Sequence, residues 1–315
     1  MAYVVVVTAS MPRQGASRAP LRSAPKLRGQ TIGVLSGQSP LGAVLAANER
    51  GWYPMAGSSS GQQDSRESVI GRVARILAAF DRRNSALPLS VLAERADLPV
   101  PTAYRLVTEL VRHGLLERDE DKRIRVGMRL WELSTRGNDR LTIRNIALPY
   151  MENLFESLGQ LTTLGVLDGG TVLYLERLTP EGMDVERAHI GQRHPIHAGS
   201  TGLVLLAFSP LNFQEDFLRR PLPRYTADTV TDPGLLRRQL AMIRRQRYAV
   251  ATGIGMPDWT GMAVPILDVD KSAVAALSVV YARGKENAAA AIPALQAAAF
   301  AISLTLGSRP RRDED

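Results

Sequence analysis

Apolar and polar positions fall into three regimes along the chain. Up to about residue 65 neither a period of 2 nor one of 3.6 is sustained, and the stretches MPRQGASRAPLRSAPKLRGQ and GSSSGQQDS are rich in Gly, Pro, Ser, Ala and Arg. Too few large apolar side chains recur there to offset ordering the backbone, so residues 1–65 are expected to be a disordered tail. Either a dispensable tail or a basic arm fits that composition, and Met55, just before the first periodic segment, is a candidate start. From Ser68 the pattern changes. Val69, Val73, Ile76, Leu77 and Phe80 recur at helical spacing, which predicts an amphipathic first helix. Pro88 breaks the chain, Leu89 to Ala96 reads as a short second helix, and Asp97-Leu98-Pro99 as a turn. A third helix starts near Pro101, faces the core with Ala103, Leu106, Val107 and Leu110, and ends at His113-Gly114. Leu115–Arg118 and Arg123–Val126 flank the acidic turn Asp119-Glu120-Asp121 and read as a hairpin.

Three helices followed by a hairpin predict a winged helix-turn-helix over residues 66–128, against the alternative of a small helical bundle carrying a β-ribbon. Thr102, Tyr104, Arg105, Thr108 and Arg112 give the third helix a polar face that packing alone would not require. Residues 129–158, a helical stretch to Arg140 and a second helix from about Thr142 to Leu158, read as a helical linker. Beyond it, Thr162–Leu167 and Thr171–Leu175 are joined by Asp168-Gly169-Gly170, a hairpin signal. Val185–Ile190, Met262–Leu267 and Ala273–Tyr281 read as strands. Ser200–Phe208, Leu211–Arg219, Pro233–Gln246 and Ala288–Leu306 read as helices. Strand pairs mixed with helices predict an α+β domain over 159–307, followed by a charged tail, 308–315.

Charge sharpens this division. The net +8 splits into six basic and two acidic residues over 1–65, fifteen and eleven over 66–140, and eighteen of each over 141–315. A basic N-terminal half joined to a neutral remainder implies a polyanion-binding part and a part with another task. There is no cysteine, which removes thiolate metal sites and cysteine nucleophiles and fits a reducing cytoplasm. No apolar run is read as approaching the roughly 20 residues of a membrane span, so no membrane contact is expected. His189, His194 and His197 cluster in sequence but lack the spacing of a metal site, and no Gly-x-Ser-x-Gly elbow occurs. Neither metal, cofactor nor catalysis is expected, although an enzyme or stand-alone binding protein with a vestigial basic domain remains the rival reading.

Two sites can be read from residue chemistry. On the third helix, Arg105 can bond bidentately to guanine, Thr102 can meet bases or phosphate, and Tyr104 can reach a phosphate or a thymine methyl. Lys122, Arg123 and Arg125 on the wing suit backbone or minor-groove contact. Ser90 is a phosphate contact or simply an N-cap. The second site is the helix start at Ser200, Thr201 and Gly202, where free amides and two hydroxyls make either a carboxylate site or an ordinary capped helix.

From Ser68 to Leu306 the chain resembles the IclR family of bacterial transcription regulators. Ser68-x-x-x-Arg72-x-x-x-Ile76-Leu77 and Leu98-Pro99-x-x-Thr102-x-Tyr104-Arg105-Leu106 resemble its winged helix-turn-helix. Asp168-Gly169-x-x-Val172-x-Tyr174-Leu175-Glu176-Arg177, Ile190-Gly191-x-Arg193-x-Pro195-Ile196-His197-Ala198, Thr231-Asp232-Pro233 and Ala263-Val264-Pro265 resemble its GAF-like effector domain. The resemblance implies a DNA operator and a small-molecule effector as partners, and self-association as a dimer or a dimer of dimers. It also implies that the helix start at Ser200 borders the effector pocket, opposite Ser278 and the loop from Ala251 to Gly261, with Met256 and Trp259. Leu203, Ala251, Gly261 and Val280 stand where the family frequently has polar groups. That departure, the room expected at Gly261, and an apolar wall from Met256 and Trp259 imply a small organic acid with an apolar or aromatic body, rather than a two-carbon oxoacid.

Overall fold

The computed structural model describes residues 67–81, 84–136, 139–183 and 190–308. The tail 1–65, most of the strand expected at Val185–Ile190, His189, and the charged tail beyond Ser308 lie outside the described residues.

The first domain is built on α1 (Val69–Ala78), α2 (Leu89–Arg95) and α3 (Val100–Arg112), with β1 (Ala86–Leu87), β2 (Leu116–Arg118) and β3 (Ile124–Val126). Ser68 caps α1, its hydroxyl accepting from the Gly71 amide at 3.0 Å. Ile76, Leu92, Ala93, Ala103, Val107, Leu116 and Ile124 are fully buried and form one core. The α2–α3 turn relies on Asp97 at φ 51°, and Gly114 ends α3 at φ 71°, the left-handed geometry that lets a glycine close a helix. A side chain on Gly127 would collide with the Gly114 carbonyl, so glycine is needed where β3 closes against the end of α3. β1, two residues long, was not anticipated. It pairs antiparallel with β3 and makes a three-stranded sheet, order β1-β3-β2.

The two helical stretches expected in the linker differ in what they bury. α4 (Met128–Thr135) buries no residue, whereas α5 (Asp139–Leu158) buries Ile146, Ala147, Met151 and Leu154. Those four belong to the core of the following sheet, so apolar periodicity ties α5 to what comes after it.

That sheet has six strands: β4 (Leu161–Asp168), β5 (Thr171–Leu178), β6 (Arg193–Pro195), β7 (Ala249–Thr252), β8 (Trp259–Leu267) and β9 (Ala273–Ala282), in the order β6-β5-β4-β9-β8-β7. All of its strand pairings among the described residues are antiparallel. Gly169 and Gly170 carry φ of 58° and 82°, which fits the two-residue turn pairing Asp168 with Thr171. β6 and β7 were not read from the sequence, being three and four residues long.

Side chains alternate between faces. Leu164, Val166, Met262, Val264, Ile266, Leu277 and Val279 meet α5 and α9 (Ala288–Gly307). α9 corrects one expectation: it is 20 residues long, carries no charged side chain and is apolar enough to cross a membrane by length and composition. Alanines and Pro293 dominate the run and make its apolar signal weak; its inner row, Ala291, Leu295, Ala299 and Ile302, is part of the sheet's core. On the other face lie α6 (Ser200–Ala207), α7 (Leu211–Leu218) and α8 (Pro233–Gln246). All eight residues of α6 are buried, which makes it the central helix of this layer.

Candidate functional site

The third helix presents its polar positions as the sequence implied. Ala103 and Val107 are buried while Tyr104, Arg105 and Thr108 are exposed and Thr102 is half-buried. Thr108 donates to the Tyr104 carbonyl at 2.8 Å and Arg112 pairs with Glu109 at 2.7 Å. Arg105 has no carboxylate partner among the described residues, which leaves its guanidinium available. Pro99 and Pro101 lack N–H groups, and the Thr102 amide donates to the Pro99 carbonyl at 2.9 Å. The start of α3 therefore offers little backbone donation, and what it presents is side chains.

The wing turn is held by Asp119. Its carboxylate accepts from the Arg123 amide at 2.8 Å, and Lys122 sits in the left-handed region at φ 60°. Lys122 and Arg123 are exposed. Arg125 is exposed too, but its Nε pairs with Glu117 at 2.7 Å directly across the ladder, so it presents a compensated charge. Ser90 is exposed and lies inside α2. Its reading as an N-cap is incorrect: Pro88 holds the cap position and no side chain caps this helix.

The second site gathers at the start of α6. Gly199 is its N-cap residue and no side chain caps it. Thr201 donates to the Ser278 hydroxyl at 3.0 Å, and Thr163 and Ser278 share a hydrogen bond of 2.7 Å. Burial pushes the Tyr174 phenol above its ordinary value, with the neighbouring Thr201 hydroxyl, the Arg177 charge and the Thr163 hydroxyl partly opposing, so it stays protonated at neutral pH. Thr163, Ser200, Thr201 and Ser278 are each at most 5% exposed, so this hydroxyl cluster is shut from solvent. Register places Leu161 opposite Val280 and Gly261 opposite both Val280 and Ala251. Together with Trp259, these share the α6 face of the sheet by alternation. Met256 lies in the loop before β8, where its carbonyl accepts from the Trp259 amide at 3.2 Å.

Gly261 does not leave the room expected of it. The position a Cβ would take there is 2.6 Å from Ser200 Oγ, so glycine is present because the start of α6 presses on β8. Gly202 and Gly255 allow similar approaches: a Cβ on either would collide with the carbonyl of Ile196 or of Ala198. The segment 196–198 is thus clamped by backbone on both sides.

Sequence reasoning missed Thr163 and Tyr174. Strand alternation over Thr162–Leu167 would have put Thr163 and Gly165 on one face, but no local signal tells that Ser278 pairs with them. Of the histidines, His197 is buried, its ring bonded to the Pro223 carbonyl at 2.9 Å and flanked by Phe217 and Tyr225. His194 meets Tyr174 edge-on at 5.5 Å. Among the described residues no three metal-ligating side chains gather.

Comparisons with known proteins agree with this layout. Residues 69–120 match the IclR helix-turn-helix domain and residues 136–304 the bacterial transcriptional regulator IclR C-terminal domain. The chain is 29% identical over 226 residues to the uncharacterized HTH-type transcriptional regulator RhmR of Escherichia coli K12, covering 71% of this chain and 86% of that protein. An IclR homolog from Microbacterium hydrocarbonoxydans, solved in complex with 4-hydroxybenzoate, is 40% identical, with TM-score 0.72 over 77% of this chain and 100% of that one. The IclR of Thermotoga maritima is 26% identical, with TM-score 0.63 over 76% and 98%.

Proposed function

Since the chain belongs to the IclR family of bacterial transcriptional regulators, we propose that it reads an operator with α3 and the wing and that a small aromatic or branched carboxylic acid, bound at the start of α6, sets how tightly it does so. Arg105, Thr102 and Tyr104 would meet base edges and nearby phosphates; Lys122 and Arg123 would meet the backbone beside them, with Ser90 and Arg125 as weaker contributors. Two identical helices on a two-fold dimer require a pseudo-palindromic operator. Met128 and Trp131, 67% and 65% exposed on α4, are apolar surface that a second copy could cover. In this reading the protein works in the cytoplasm and performs no catalysis.

The observation that carries the effector half is a buried, uncapped helix start beside neutral hydroxyls. Amides of Ser200, Thr201 and Gly202 can hold a carboxylate at the positive end of α6, with Ser278 and Tyr174 as additional hydrogen-bonding groups. Leu161, Val280, Trp259 and Met256 would take the apolar body. Ala251 and Val280 offer nothing to further polar atoms, whose burial without partners would cost about 1 to 3 kcal/mol each. A relative that shares 40% of its sequence binds 4-hydroxybenzoate, an acid of this kind. Because the cluster is shut, entry requires Ser200 to move off Gly261.

A thermal-shift screen over 4-hydroxybenzoate, benzoate, branched acids, glyoxylate and pyruvate, followed by operator-release assays, tests this. Aromatic or branched acids should raise the Tm and alter operator binding. A response to glyoxylate or pyruvate alone overturns the pocket reading.

A further inference from the structure

We propose that Asp168 is a positioning residue that carries the state of the α6 site to the first turns of α5, which follows the DNA-reading domain and α4 in the chain. This rests on the effector reading above for its consequence, but the connection stands on geometry of its own. The Asp168 carboxylate holds two arginines from different elements. Arg140, in the first turn of α5, donates to Oδ1 at 2.7 Å; Arg193, at the start of β6, donates to Oδ2. Arg193 also donates to the Asp168 carbonyl at 3.1 Å and to Thr171 Oγ1 at 2.9 Å, so its guanidinium is fixed around the β4–β5 turn. Although partial burial disfavours the charge, the hydrogen bonds from Arg193 and Arg140 hold the Asp168 carboxyl below the usual range.

On the Arg193 side, β6 leads within three residues into the backbone clamped between Gly202 and Gly255. A shift of the α6 start therefore meets backbone rather than yielding side chains, and must displace β6. On the Arg140 side, α5 has no fully buried residue before Ile146, and before it only the partly buried Ile143 packs on the sheet's core. Its first turns are attached by Arg140 to Asp168 and, one turn later, by Arg144 to the buried Glu176. Ion pairs depend steeply on geometry, whereas the apolar packing from Ile143 onward tolerates small sliding. Asp168 is thus the shared partner of the element that feels the pocket and the helix end nearest in sequence to the reading domain. Energetic coupling between two sites requires an element that both bias.

The test uses the full chain with Asp168→Asn, which keeps shape and removes charge, and Arg140→Gln, which cuts only the α5 arm. Hydrogen exchange without any ligand should quicken at both 140–145 and 193–199 in Asp168→Asn, and only at 140–145 in Arg140→Gln. With 4-hydroxybenzoate as the probe, both variants should keep ligand affinity and ligand-free operator affinity within about threefold of wild type, while the ratio of operator affinities with and without ligand falls at least tenfold towards one. Full retention of that ratio, or exchange in Asp168→Asn that changes only at 193–199, overturns the proposal. If wild type itself ignores 4-hydroxybenzoate, the effector reading fails instead, and the exchange result alone decides the role of Asp168.

Discussion

α3 and α6 both begin without a side-chain cap, and they present opposite chemistry. α3 starts at Pro99-Val100-Pro101-Thr102, where the two prolines have no N–H and the Thr102 amide is already used, so what it presents is exposed side chains. α6 starts at Gly199-Ser200-Thr201-Gly202, with amides and hydroxyls buried against the sheet. The difference follows from the partner each suits. A duplex is read at base edges by long side chains, through water and at high dielectric. A small carboxylate gains most where backbone dipoles are fixed and water is excluded.

The largest expected effect breaks the α3 half. Arg105→Ala should remove about 1 to 3 kcal/mol per half-site, doubled in a dimer, from operator affinity while ligand binding stays intact. Lys122→Ala, measured beside it, should weaken operator and random DNA alike and lower the salt slope by about one. Retained operator preference in the Arg105 variant would show that another element reads the sequence. A smaller effect is expected at the α6 half. Ser278→Ala leaves Thr163 and Thr201 without their shared partner and should weaken acid binding by roughly 1 kcal/mol, about fivefold, with ligand-free operator affinity unchanged. If calorimetry finds stability lowered but ligand affinity untouched, the hydroxyl cluster only packs.

The smallest effect concerns acid. Burial depresses His197 below its ordinary value of 6.5, with the Pro223 hydrogen bond partly opposing. The unfolded chain therefore takes up this proton at higher pH than the fold does, so stability is present above about 6.5 and is lost as pH falls through the folded value. The Tm should decline from pH 7.5 to 5, and His197→Gln should flatten that decline. An unchanged slope would exclude His197 as its source.

Much of the architecture was legible because local chemistry agreed with it. α8 is bounded as expected: the Asp232 side chain accepts from the Leu235 amide at 2.6 Å, Pro233 opens the helix, and Arg247 closes it at φ 63°. Asp168-Gly169-Gly170 announced its hairpin for the same reason. The two- to four-residue strands β1, β6 and β7 carry no period long enough to detect; only pairing partners distant in sequence define them. The candidate sites divide likewise. The exposed face of α3 follows from helical spacing alone, and the start of α6 was found from its Ser-Thr-Gly. Thr163 and Tyr174 join it only through the sheet, and the Ser200–Gly261 contact turned an expected opening into a closed one. Linear reading sees which residues could bind; it does not see which of them already hold one another.

The partners of β4 differ greatly in when a ribosome delivers them. On one side β5 follows after two turn residues; on the other, Thr163 and Ser278 are 115 residues apart. At about 5 to 20 residues per second, that interval lasts on the order of ten seconds. All of α1 to β3 has by then been synthesised, so a nascent chain can display a folded reading head before its effector site has been made. During the same interval the inner edge of β4 stands unpaired, a template for a wrong strand. Birth order thus gives the newborn regulator a brief period in which it is able to touch DNA but not to listen.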